Sequence, residues 1–79
     1  MEEVLKTLIE NLVDDKDSVS ISSKEEGDGI VTFDVKVAKT EMGKVIGKQG
    51  RIAHSIRTIM KSVGAKEHKK VEVEFIDEQ

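Results

Sequence analysis

The sequence predicts an α+β domain in which three helices cover one face of a three-stranded mixed sheet, in the order helix, strand, strand, helix, helix, strand. Three observations predict it. Apolar residues recur at helical spacing in residues 2–14 and 51–63, alternate with period two in 30–38 and 71–75, and are punctuated by glycines at the joints. Three short strands cannot bury both faces of a sheet in 79 residues, so the helices share one side.

In residues 2–14, Val4, Leu5, Leu8, Ile9, Leu12 and Val13 make one apolar face, and Glu2 and Glu3 suit the positive end of a helix. From Ser18 to Ser23 the period becomes two, with Val19 and Ile21 between serines, which predicts a short strand. Glu25 to Gly29 is a polar turn suited to an antiparallel pair. Ile30 to Ala38 is the clearest strand: Val31, Phe33, Val35 and Val37 share one face, and Thr32, Asp34 and Lys36 the other. Thr40 is a candidate N-cap for a short helix ending at Ile46. A longer helix follows over 51–63, burying Ile52, Ile56, Ile59, Met60 and Val63, with Gly64 where a C-terminal glycine is expected. Residues 65–70 read as a basic loop before a last strand carrying Val71, Val73 and Phe75. That strand returns through the helix pair, which favours parallel pairing with its neighbour.

Composition narrows the function. One domain spans 1–79, with neither cysteine nor proline, so packing or association must supply its stability. Phe33 and Phe75 are the only aromatics, both expected in the core. Met1 is followed by two glutamates, unlike a signal peptide, and no apolar run approaches about 20 residues, so a cytoplasmic protein without a membrane partner is expected. The net charge of −3 conceals a strong asymmetry. Between Met42 and Lys70 stand eight basic residues against Glu67 alone, a local charge of +7, while the rest of the chain carries −10. A polyanion responds to such a patch more than to the total.

At the centre of that segment lies Gly43-Lys44-Val45-Ile46-Gly47-Lys48-Gln49-Gly50-Arg51-Ile52. Two glycines flank two polar residues between a short helix and a long one. The loop empties into a helix N-terminus, where backbone N–H groups lack partners and the dipole is positive. Glycine at 47 and 50 removes side chains that would hold a sugar-phosphate chain at a distance, and Lys48 and Arg51 add charge. The loop offers no nucleophile, general base or metal ligand.

With those residues in that order of elements, the chain resembles the KH domain, which clamps about four unpaired nucleotides at a GXXG loop. The order is similar to the type II KH fold (αββααβ), with 30–76 as core and 1–29 as the N-terminal helix-and-strand extension. Gly43 to Ala53, with Ile56-Arg57-Thr58, is similar to the signature of small stand-alone bacterial KH proteins of the KhpA type, which are RNA chaperones. One departure stands out. Many KH domains place an aliphatic residue three positions after the second motif glycine; here that position is Ala53, preceded by Ile52, which leaves the groove floor unassigned.

The resemblance implies a single-stranded RNA-binding protein. The backbone of Gly47, Lys48, Gln49 and Gly50 would hold phosphates, helped by Lys48, Arg51 and Lys44. Val45 and Ile46 would shape the apolar side of a groove. Lys66, Lys69 and Lys70 would line the facing wall, and Arg57 and Lys61 would reach the backbone further along. It also implies a homodimer, or a heterodimer with a larger KH-domain protein, and links to cell division and envelope growth. The alternative is a KH-like protein-interaction adaptor without RNA affinity of its own. A pure adaptor needs neither the glycine-flanked loop nor the exclusion of acid from 42–66. His54 reads as a solvated surface residue, and with His68 it lacks further ligands at metal spacing, so no metal or cofactor is expected. Met42 and Met60 read as packing. Ser, His and Asp form no recognisable triad, so no enzyme is expected.

Overall fold

A computed structural model describes residues 1–78. Its elements are α1 (Glu2–Glu10), β1 (Ser20–Glu26), β2 (Ile30–Ala38), α2 (Lys39–Ile46), α3 (Arg51–Lys66) and β3 (Lys70–Glu78), with single 3-10 turns at Lys16–Ser18 and Lys48–Gly50. The sheet order is β1-β2-β3. β1 runs antiparallel to β2, from Ser20 opposite Lys36 to Glu26 opposite Ile30, and β3 runs parallel to β2, from Ile30 opposite Lys70 to Ala38 opposite Glu78. This is the α+β, type II KH arrangement that the sequence predicts.

The core forms where the helices meet one face of the sheet. Val31, Phe33, Val35 and Val37 of β2 are buried with Val71 and Val73 of β3, Leu5 and Ile9 of α1, Val45 of α2, and Ile56 and Met60 of α3. By the pairing register, the opposite face carries Thr32, Asp34 and Lys36 beside Glu72, Glu74 and Ile76. No helix among the described residues is long and apolar enough to cross a membrane.

Several boundaries differ from the expected ones, each for a tertiary reason. The first helix ends at Glu10, short of residue 14. The N–H groups of Asp14 and Asp15 donate to the Glu41 carboxylate, so a side chain has taken donors that a longer helix would use. Val13 nevertheless stays buried. β1 begins two residues later than expected and runs on to Glu26, because Asp15 caps the 3-10 turn through the Asp17 N–H and pairing with β2 continues to the Gly27–Gly29 turn. Thr40 is not a cap: β2 passes directly into α2 at Ala38, which makes no side-chain capping bond.

α3 shows the largest differences. It runs through Gly64 to Lys66, and the left-handed residue that ends the turn is His68, with φ +59°. Gly64 is glycine for packing. A Cβ there would lie 2.4 Å from the Val71 side chain and 2.8 Å from the Lys69 carbonyl. The buried stripe is Ala53, Ile56, Met60 and Gly64, and Ile59, three residues from Ile56, falls to its edge at 41% exposure. Phe75 is only partly buried and packs at the margin of the core, where β3 forms the sheet edge.

Two glycine substitutions separate packing from propensity. Gly64→Ala should destabilise the fold by about 1–3 kcal/mol, the usual cost of overpacking. Gly43→Ala meets nothing within 4 Å inside α2 and should be neutral or stabilising, by up to ~1 kcal/mol. Urea unfolding of both variants tests this; equal midpoints would mean that the α3–β3 contact does not need glycine.

Candidate nucleic-acid interface

The junction between α2 and α3 is built from three positive-φ residues in four. Gly47 has φ 76° and ψ 178°, Gln49 φ 56°, and Gly50 φ 72°. The Gly50 N–H returns to the Gly47 carbonyl at 3.3 Å, closing the turn. The two glycines serve different ends. A Cβ on Gly47 would lie 2.6–3.0 Å from the Ile52 side chain, so its bareness lets the loop fold down onto α3. A Cβ on Gly50 would meet nothing within 4 Å, so the space above it is open to an approaching group. Gly50 is also the N-cap of α3 and offers no side-chain cap; the Arg51 N–H bonds the Lys48 carbonyl, and the positive end of a 16-residue helix dipole lies at that space. Lys48, Gln49 and Arg51 are exposed around it, with the Arg51 guanidinium 3.5 Å from the Gln49 amide oxygen.

From the loop, an open surface of Gln49, Gly50, Arg51, His54, Ser55 and Arg57 leads along α3. Arg57 also belongs to a groove of about 420 Å³ between α3 and β3, lined by Lys61, Lys70, Val71, Glu72, Val73 and Glu74 besides. The two surfaces form one path, hinged at Arg57. The helix side of the groove carries positive charge, and the strand contributes Glu72 and Glu74.

Arg57 is not a free surface cation. Its Nε donates to the Val73 carbonyl at 3.1 Å, and its guanidinium carbon lies 5.3 Å from the centre of the Phe75 ring. The sequence reading, which put both phenylalanines in the core, missed this pair. The available signal was position: Phe75 falls two residues beyond Val73 on the last strand, at a sheet edge where burial is incomplete.

The other expected site residues divide. Lys61 and Lys70 line the groove. Ile46 is half-buried at the end of α2, but Val45 is wholly buried at 0% exposure, so it supports the loop from the core and presents no groove surface. Lys66 and Lys69 line neither surface, and α3 separates Lys66 from Arg51 by about 22 Å. Lys69 is bonded to Glu25, which raises its pKa.

Lys44 is held within the fold. Its ammonium lies 2.5 Å from Asp14 Oδ2 and 3.0 Å from Glu41 Oε1, and the Asp14 bond leads in raising its pKa above the ordinary lysine value. Glu41, 8% exposed, is the one buried charged residue among the described side chains. Its Oε2 accepts the Asp14 N–H at 2.7 Å and the Asp15 N–H at 3.4 Å. The Lys44 bond first, then the Asp14 N–H, holds its carboxyl below the usual range. This cluster fastens the α1–β1 connection to α2, directly before the loop. The Glu41–Lys44 spacing of three on a helix was the sequence signal for it.

Comparison with known proteins yields one family. The family model described as "KhpA/KhpB, KH domain" matches residues 2–75. The RNA-binding protein KhpA of Clostridium acetobutylicum is 47% identical over 76 residues, covering 96% of this chain and 100% of that protein. That of Listeria monocytogenes is 46% identical over 77 residues, covering 98% and 100%, and that of Chlamydia trachomatis 35% identical over 79 residues, covering 100% of both. No solved structure matches the chain.

The Glu41 cluster should be visible in acid. A carboxylate whose pKa is lower folded than unfolded stabilises fully above its unfolded value, about 4.3, and loses that contribution as pH falls through the folded value. Melting temperatures of the wild type and Glu41→Gln should therefore differ most at neutral pH and draw together only as pH falls below about 4.3 and through the folded value. A gap that persists undiminished into acid would show that the carboxylate's charge is not the stabilising feature.

Proposed function

The chain belongs to the KhpA/KhpB KH-domain family, and from that premise we propose that it binds single-stranded RNA by clamping about four nucleotides at the Gly47–Gly50 loop. One observation carries the reading: the space above Gly50 is empty of protein atoms and opens onto the N-terminus of α3, at the centre of the +7 segment. Phosphates meet the loop and the positive end of the α3 dipole, with Lys48 and Arg51 supplying charge. The strand then follows α3 past Arg57 and Lys61 toward Lys70. Lys44 contributes indirectly, by holding α2 and the loop in place.

Four neutralised phosphates on a single strand give a log–log salt slope near −3. The contact made by one copy is weak and loosely selective, as suits an RNA chaperone or post-transcriptional regulator. A second copy, or a larger KH-domain partner, adds avidity without new contacts.

Fluorescence-anisotropy titration with an unstructured RNA oligomer at two salt concentrations tests the clamp. Raising salt from about 50 to 200 mM should weaken wild-type binding about fifty-fold. The double variant Lys48→Asp, Gln49→Asp should lose binding at least about tenfold while remaining folded by circular dichroism, since aspartate tolerates the left-handed geometry at position 49. A folded variant that binds as well as the wild type removes the clamp. Absence of any RNA binding at low salt would favour a protein-interaction adaptor.

A further inference from the structure

We propose that Arg57 and Phe75 together form a stacking platform for one unpaired nucleobase, set in the groove between α3 and β3; this rests on the RNA-binding reading above. Four observations converge on it. The Arg57 guanidinium is fixed in the groove by its Nε bond to the Val73 carbonyl, on a strand that pairs only with β2. It lies 5.3 Å from the Phe75 ring centre, within the range of a cation–π contact, yet Arg57 remains exposed. Of the two aromatic residues, Phe33 is deep in the core, so Phe75 is the one ring that can back a surface. Finally, the groove sorts a nucleotide by charge. Glu72 and Glu74 repel phosphate from the strand side, while Arg57 and Lys61 attract it to the helix side.

A strand threading this groove keeps its backbone on α3 and turns its bases toward β3. There the first planar surface is the guanidinium lying over Phe75. Bases stack on arginine planes as well as on aromatic rings, and every base has a π-face, so the subsite accepts any base. The alternative role for Arg57, an ion pair with a phosphate, uses its charge alone and is indifferent to whether a base is present.

That difference is measurable. Binding would be compared by anisotropy at low salt for a labelled adenosine RNA oligomer and a matched oligomer of abasic ribose units. The wild type should prefer the adenosine oligomer by roughly five- to a hundredfold. Arg57→Lys keeps the charge and loses the plane, and Phe75→Leu keeps apolar bulk and loses the ring. Each should bring the adenosine affinity down toward the abasic value, by a larger factor than any change in abasic affinity. Equal wild-type affinity for both oligomers overturns the platform. So does an Arg57→Lys variant that keeps the wild-type preference for the adenosine oligomer, since a contact made by charge alone survives in lysine. If Phe75→Leu unfolds, the exposed Arg57→Lys change decides alone. Failure of the wild type to bind either oligomer would instead remove the RNA reading on which the platform stands.

Discussion

Because β3 runs parallel to β2, the chain must travel back the full length of the sheet between Ala38 and Lys70. A nine-residue strand spans about 30 Å, and a hairpin cannot cover that return. α3, with 16 residues, covers about 24 Å of it in one straight element. α2 carries the chain off the end of β2, and the junction between the helices reverses its direction. The loop thus stands where the crossover turns, at the N-terminus of the returning helix. The same requirement lays α3 along the free edge of β3, which creates the groove.

The crossover works only if α3 lies close to the sheet, and Gly64 permits it. At that point the helix approaches β3 too closely for even a methyl group. About two turns nearer the N-terminus of α3, Arg57 reaches the Val73 carbonyl through its Nε. That bond also covers one acceptor on an edge strand that would otherwise be open to pairing with another chain. Helix-side cations and strand-side carboxylates then give the groove two chemically different walls. A polyanion with uncharged side groups has one favourable orientation between them.

Much of this was legible in the sequence, and the failures share a cause. Element order, the β2 boundaries and the position of the loop follow from periodicity and glycine placement, because they reflect local burial patterns. The end of α1 did not, since Glu41, 27 residues from Asp14, takes the N–H groups that would have extended the helix. Gly64 resembled a helix stop because its packing partner, Val71, becomes a neighbour only once β3 is parallel to β2. Lys44 and Lys69 counted toward a basic patch, yet both are bonded to carboxylates that lie outside the basic segment, at Asp14, Glu41 and Glu25. Charge counted along a chain does not say which charges the fold has already matched.

The same distinction applies within the loop. Gly47 and Gly50 look equivalent as a motif, and both adopt positive φ. Gly47 faces inward against Ile52, so its missing side chain serves the junction itself. Gly50 faces open space, so its missing side chain serves whatever approaches the N-terminus of α3. Ile52, beside Ala53, thereby gains a role: its side chain packs against the first glycine, where even a Cβ would not fit. The loop's approachability at one glycine depends on close packing at the other.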